Sequence, residues 1–166
     1  MNNIIKTNIS NIVPKHVNEH RDYEYKKFEV TDGKQKYEVS SPNEGNQTVV
    51  AFYALPPGKS NYPFHYHSTN EEVFYIISGN AILETFDVKI SIAAGDVIVC
   101  PIGRAGAHKI TNTSETEDLV YLDVDTNNTP DIAYYPHSNK VGIRISGGIR
   151  DNFNLDSKVD YYDNEL

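Results

Sequence analysis

Short runs of β-branched and aromatic residues follow one another through the middle of the chain, and each ends at a turn signal such as Pro57-Gly58 or Gly79-Asn80. The runs cover residues 48–55, 72–78, 81–86, 88–92, 97–100, 108–113, 119–124 and 141–145. Strand-length runs of this composition, spaced by roughly 8–12 residues, are typical of a sandwich or a barrel. The middle of the chain shows no long amphipathic helical pattern. The sequence therefore predicts an all-β domain.

The two ends of the chain differ from this β-rich middle. Residues 1–20 are polar and rich in Asn, and residues 151–166 are acidic with scattered apolar side chains. No segment repeats, no linker divides the chain, and a length of 166 residues suits one domain. We therefore expect an N-terminal arm over residues 1–25, a β-barrel over residues 26–146 and an acidic C-terminal tail over residues 147–166.

Acidic residues outnumber basic ones by 23 to 15, which gives a formal net charge of −8. This balance argues against a nucleic-acid partner, because nucleic-acid binders usually present a basic stripe. The single cysteine, Cys100, excludes an intramolecular disulfide and a cysteine-based zinc ribbon. No apolar run approaches the ~18 residues of a membrane helix, and the N-terminus lacks a secretory pattern. We expect a cytoplasmic protein that binds neither nucleic acid nor membranes.

A His-x-His pair followed by a glutamate carries the clearest chemistry in the sequence. Alternate side chains share one face of a strand, so His65 and His67 project the same way, about 7 Å apart along the backbone. Two imidazoles so placed can converge on one metal ion. Glu72 opens the next predicted strand, and His108 starts a later one, so they can add a carboxylate and a third imidazole. This donor set would leave coordination positions open.

Two features compete with this interpretation. Glu71 precedes Glu72, and strand parity cannot separate the two carboxylates across a turn. The segment His16-Val-Asn-Glu19-His20 matches the His-x-x-Glu-His pattern of one metallopeptidase class. That chemistry needs both histidines on one face of a stable helix, and the polar context beside a proline does not favour such a helix. The second alternative is therefore the weaker hypothesis.

The segment from about residue 48 to residue 124 resembles the cupin family. The residues that match its first motif are Gly58, His65, His67, Glu72 and Gly79. The residues that match its second motif are Gly95, Pro101, Gly103, His108 and Asn112. The sequence departs from the family by one extra residue between Gly58 and His65 and by an insertion before His108, where the four residues 104–107 stand in place of the usual two. The family spacing favours Glu72 over Glu71 as the acidic residue of the site.

The resemblance implies a double-stranded β-helix, the cupin jelly-roll barrel, with short N- and C-terminal extensions and a homodimeric assembly. It also implies that His65, His67, Glu72 and His108 surround a divalent transition metal. Fe, Mn, Ni, Co and Zn all accept such nitrogen and oxygen donors, so the donor set does not choose among them. By strand parity, Phe74, Ile76 and Ile110 are expected to form an apolar cavity wall.

Three function classes fit such a site: a metal-dependent oxygenase or isomerase, a non-catalytic small-molecule binder, and a barrel with a structural or vestigial site. Cupins include all three, so the fold does not decide. The intact ligand set argues against the third, and we expect an enzyme acting on a small molecule, with the binder as the alternative. Arg104 in the insertion is a candidate contact for an anionic substrate, or else a solvated loop arginine.

Overall fold

The computed structural model describes residues 5–16, 33–40, 46–146 and 149–165. The strands are β1 (Lys15–His16), β2 (Gln35–Ser40), β3 (Thr48–Leu55), β4 (Tyr66–His67), β5 (Glu72–Ser78), β6 (Asn80–Glu84), β7 (Lys89–Ala93), β8 (Val97–Cys100), β9 (Lys109–Asn112), β10 (Leu119–Thr126), β11 (Asp131–Tyr135), β12 (Lys140–Ile145) and β13 (Ile149–Asn154). Short 3₁₀ helices lie at Ile9–Asn11, Arg104–Gly106, Pro136–Ser138 and Leu155–Ser157. The prediction of an all-β chain is confirmed, and none of the helices in the described parts could span a membrane.

The strands form three antiparallel sheets. The largest has the order β1-β2-β3-β10-β5-β8, the second has the order β13-β12-β11-β4, and the third has the order β7-β6-β9. One cluster of buried side chains joins the largest sheet to the three-stranded sheet, because it contains residues from β3, β5, β8 and β10 together with residues from β6, β7 and β9. Isolated β-bridges between His65 and His108 and between Ser60 and Thr111 link the segments around β4 and β9. The sheets therefore enclose one interior.

The interior changes from apolar to polar along strand β10. Alternate side chains of this strand point inward, as the two-residue period of a strand requires, and Leu119 and Tyr121 are fully buried. The same inward row continues with Asp123, which is also buried. Asp125 follows in register with Glu72 of β5. The polar end of this row marks the side of the barrel where the candidate site lies.

The apolar end of the barrel contains three side chains that strand alternation had predicted in the cavity wall. Phe74, Ile76 and Ile110 are each fully buried in the main hydrophobic cluster. Cys100 belongs to the same cluster, and burial raises the pKa of its thiol to about 12, so it packs as a small hydrophobic residue. Phe74, Ile76 and Ile110, which were expected to form a cavity wall, instead build the core behind the site.

Both flanks of the predicted barrel contribute strands. β1 pairs with β2, and β13 pairs with β12 over its whole length, although β13 falls in the predicted tail. The proposed domain boundaries stay predictions. His16 ends strand β1, so its backbone is extended and not helical. Glu19 and His20 lie outside the described residues.

Candidate metal centre

His65, His67 and His108 meet because of strand pairing. His65 and His67 alternate along the segment that ends in β4, so their side chains share one face. His65 and His108 face each other across an antiparallel bridge: the His65 N–H donates to the His108 carbonyl at 3.2 Å, and the His108 N–H donates to the His65 carbonyl at 2.9 Å. The ring centroid of His65 lies 5.1 Å from that of His67 and 4.9 Å from that of His108.

The carboxylate of Glu72 lies between the three rings. Its oxygens are 3.7 Å from Nε2 of His65, 3.8 Å from Nε2 of His67 and 3.3 Å from Nε2 of His108. The donor atoms of His65, His67 and Glu72 all lie within 4.8 Å of one another. Glu71, the alternative acid, is exposed. Glu72, the first residue of β5, therefore faces the histidines, whereas its neighbour Glu71 does not.

Backbone carbonyls orient two of the histidines. Nδ1 of His65 lies 2.8 Å from the carbonyl oxygen of Pro63, and Nδ1 of His108 lies 2.9 Å from that of Gly106. A carbonyl only accepts hydrogen bonds, so each Nδ1 carries a proton, and in the neutral ring Nε2 keeps its lone pair. Gly106 belongs to the insertion that distinguishes this chain from the family spacing. The insertion therefore supplies the group that orients His108.

Asp131 orients the third histidine, His67, and no pattern in the sequence indicated it. Oδ2 of Asp131 lies 2.5 Å from Nδ1 of His67, and its Oδ1 accepts from the Thr69 N–H at 3.1 Å and from the Thr69 hydroxyl at 3.0 Å. The hydrogen bonds lower the pKa of Asp131 although burial opposes this change. Carboxylates that hold the second nitrogen of a histidine commonly fix ligand histidines in metal sites.

The electrostatics of the cluster favour an ionised carboxylate. Burial by itself raises the pKa of Glu72, but its interactions with His65, His108 and His67 lower it to about 2. Burial also lowers the pKa of His108, and its Nε2 has no hydrogen-bond partner. A buried anion beside an unpartnered imidazole nitrogen is the arrangement that a bound cation satisfies. The cluster of His65, His67 and Glu72 fits a divalent metal ion.

The cluster opens into a cavity of about 190 Å³. The lining residues are Tyr62, Pro63, His65, His67, Asn70, Glu72, Asp125, Thr126, Tyr135, Arg144 and Arg150. The two arginines and Tyr135 come from the C-terminal sheet and did not figure in the sequence analysis. The only signal for Arg144 was a charged residue inside the apolar run of residues 141–145.

Arg104 lies away from this cavity. Its guanidinium carbon is 3.6 Å from the ring centroid of Phe86, and its side chain is exposed. The cation–π contact accounts for this placement. Among the described residues that line the cavity, the arginines are Arg144 and Arg150, and Arg104 is not one of them.

A further buried polar group lies behind the wall of the cavity. Nζ of Lys34 is 3.4 Å from the ring centroid of Tyr62 and donates to the carbonyl of Asn61 at 2.5 Å. Burial lowers the pKa of Lys34 to about 7, although the charge of Asp123 opposes this change. Burial, and then the charge of Asp125, raises the pKa of Asp123. No sequence pattern indicated a buried Lys34, because a lysine is seldom fully buried.

Comparison with known proteins identifies the domain that carries these residues. The protein-family model for the cupin domain matches residues 51–125. This segment is a cupin domain. It contains all four residues of the cluster, and the cupin barrel explains how one carboxylate and three imidazoles meet inside the sheets.

Relatives and solved structures extend the comparison. The chain is 40% identical over 85 residues to a probable oxalate decarboxylase of Arthroderma benhamiae and 36% identical over 76 residues to an oxalate-binding protein of Thermotoga maritima. Each match includes 46% of this chain, which spans only 19% of the first relative and 60% of the second. A cupin superfamily structure from Silicibacter pomeroyi, described as a sugar phosphate isomerase, aligns with a TM-score of 0.78 at 20% identity, covering 95% of this chain and 98% of that one. The double-stranded β-helix expected from the resemblance is confirmed.

Proposed function

We propose that His65, His67, Glu72 and His108 bind one divalent transition metal ion and that the protein is a metal-dependent enzyme acting on a small molecule. The observation that carries this proposal is the arrangement of the three histidines. Each turns Nδ1 to a fixed acceptor and Nε2 towards the Glu72 carboxylate. Fe, Mn, Ni, Co and Zn all fit this donor set.

The chain's own groups determine what such a site would do. A divalent ion held there would polarise an oxygen of a bound molecule, which is the chemistry these ions supply. Tyr62 and Tyr135 line the cavity beside the cluster, and Asp125 contributes a carboxyl group to its wall. Burial, followed by the charge of Glu72, raises the pKa of Asp125 to about 6. A carboxyl group with this pKa can exchange a proton near neutral pH, which supports an isomerase or another proton-transferring enzyme.

The second candidate function is a non-catalytic binder. The relative from Thermotoga maritima supports it, because that protein is described as oxalate-binding. The decarboxylase relatives support the enzyme instead. Both candidates share the metal centre and the cavity, so they differ only in turnover.

Elemental analysis tests the metal centre. Protein purified without chelator should contain about one transition-metal ion per chain, because neutral imidazoles and a carboxylate bind such ions tightly. The His65→Ala/His67→Ala variant should contain almost none. His137→Ala is the matched control, because His137 is exposed and stacks on Phe64 outside the cluster. Full metal content in the double variant would refute the ligand assignment.

Turnover assays separate the enzyme from the binder. The metal-loaded protein would be incubated with oxalate, with small sugar phosphates and, in an oxygen electrode, with catechols, thiols and β-diketones. Metal-dependent product formation or oxygen uptake supports the enzyme. Saturable binding without turnover of the bound compound supports the alternative.

We also propose that the protein forms a homodimer. The outer face of β5 and β8 carries four exposed apolar side chains, Tyr75, Ile77, Val97 and Val99. Tyr75 and Val97 are register partners, and β8 is the edge of its sheet, so these side chains form one patch. A second copy that presents the same patch would bury it. Light scattering should give twice the chain mass, and Val97→Glu should give the monomer mass; a monomeric wild type would contradict this assembly.

A further inference from the structure

Two arginines face the candidate metal centre from strands outside the cupin domain. Arg144 of β12 and Arg150 of β13 are register partners, and both line the cavity that contains Glu72. Side chains of directly opposed residues project from the same face of a sheet, with Cβ atoms about 4.5–5.5 Å apart. The hairpin therefore presents two guanidinium groups side by side to the same small space.

The positive charges of Arg144 and Arg150 both act on the hydroxyl group of Tyr135 in the cavity wall. Burial raises the pKa of the Tyr135 hydroxyl, whereas the charges of Arg144 and Arg150 both oppose this change. The two side chains therefore add positive charge to the part of the cavity wall that carries the Tyr135 hydroxyl. On the other side of Arg144, Asp131 directs its two carboxylate oxygens to hydrogen bonds with His67 and Thr69.

The charges of the cavity wall indicate the sign of the ligand. The two carboxylates, Glu72 and Asp125, balance the two guanidinium groups of Arg144 and Arg150. With the ionised Asp131 that holds His67 counted as well, a divalent ion bound at the cluster would still leave the site with an excess of one positive charge. A ligand that enters this cavity would compensate the excess if it carries negative charge.

We propose that Arg144 and Arg150 together bind an oxyanion, the carboxylate or phosphate group of a small ligand, while another part of that ligand faces the metal centre. The planar guanidinium group donates two parallel hydrogen bonds to such an oxyanion, and paired arginines favour it over a neutral group. This inference rests on the proposed function, because it assigns the substrate class of the same site. The anion contact itself requires only the arginines.

Calorimetric titrations at constant ionic strength test the proposal, with inorganic phosphate, oxalate and neutral oxamide as probes. The proteins are the wild type, Arg144→Met, Arg150→Met and, as a matched control, Arg104→Met, each with and without metal. Arg104 is an exposed arginine that stacks on Phe86, so its replacement makes the same charge change outside the cavity. We expect each cavity variant to bind the preferred anion at least about 10-fold more weakly, the control to match the wild type, and oxamide not to bind.

The same titrations distinguish a carboxylate ligand from a phosphate ligand. They also distinguish a failure of the anion contact from a failure of the proposed metal centre. Tighter binding of oxalate than phosphate identifies a carboxylate ligand, and the reverse order identifies a phosphate ligand. Arg144→Lys keeps the charge but loses the planar guanidinium group, so its anion affinity should lie between those of the wild type and Arg144→Met. Its retained binding would also show that the β12–β13 hairpin still folds. Equal anion affinity in the wild type and both methionine variants, or no anion binding by the metal-loaded wild type, would overturn this inference even if the metal is present. Arginine-dependent anion binding by a protein that takes up no metal would overturn the proposed metal centre alone.

Discussion

The cupin domain and the C-terminal strands contribute different things to one cavity. Residues 51–125 provide the four side chains that surround the candidate metal position. The C-terminal strands provide Asp131, Tyr135, Arg144 and Arg150. The first region thus contains the proposed ligands, whereas the second region orients one of them and forms the charged wall. A sequence motif that identifies the centre of such a site therefore leaves its selectivity undetermined.

The largest effect should come from the acid of the cupin domain. Glu72→Gln removes the one carboxylate among the donors, so we expect metal affinity to fall by more than about 100-fold, beyond the effect of losing an outer partner. Glu71→Gln changes the adjacent exposed residue and should leave affinity unchanged. Competition with a chromophoric chelator measures both. Equal losses in the two variants would show that Glu72 is not the ligand.

Replacement of Asp131 in the C-terminal region should lower the metal affinity less than replacement of Glu72 does. Asp131→Asn removes the charged acceptor of His67 Nδ1 while keeping its size, so metal affinity should fall by about 10–100-fold. Asp151→Asn is the control, because Asp151 is an exposed residue of neighbouring β13. If Asp131→Asn binds metal as tightly as the control does, the C-terminal strands have no role in the centre.

Metal affinity should decrease as the pH falls. Imidazoles must lose a proton from Nε2 before they bind metal, so protons compete with the ion. Burial tends to lower the pKa of His67, but the Asp131 hydrogen bond and the charge of Glu72 raise it overall. The competition at His67 therefore begins above the usual histidine range. In Asp131→Asn metal affinity should be weaker throughout, but its decline with falling pH should begin at a lower pH than in the wild type. A chelator titration repeated at several pH values measures the onset of this decline; an unchanged onset contradicts the assigned role of Asp131.

The smallest effect is expected at the apolar end of the barrel. Ile110→Val removes one methylene group from a fully buried position, so the free energy of unfolding should fall by about 0.5–1.5 kcal/mol. Metal content should stay the same, because Ile110 packs in the core behind the centre. Ile90→Val, at an exposed position of β7, serves as the control in the same denaturant titration. Loss of metal in Ile110→Val would show that core and centre are coupled.

The sequence was informative where local rules apply. The alternation of a strand placed His65 and His67 on one face, and the β-branched runs predicted the all-β class. The choice between Glu71 and Glu72 could not be made from strand parity across a turn; the family spacing favoured Glu72, and the structure buries Glu72 and exposes Glu71. Gly79, which marks the end of a predicted strand, has φ 92° at a position where a side chain would meet the backbone of Leu119.

The remaining parts of the site depend on pairings between distant segments. Asp131 reaches His67 because Ala133 of β11 is the register partner of His67, and no local pattern encodes that register. Arg150 fell in a segment read as an acidic tail, although it belongs to β13. Arg104 had the right charge for an anionic substrate, but its contact with Phe86 could not be read from the sequence.

Anomalous scattering from a crystal of the metal-loaded protein would locate the bound ion. We expect one peak per chain, at roughly 2.0–2.2 Å from Nε2 of His65, His67 and His108 and from a carboxylate oxygen of Glu72. A peak bound by other residues, or rings of His65 and His67 turned to solvent in the loaded protein, would contradict this expectation.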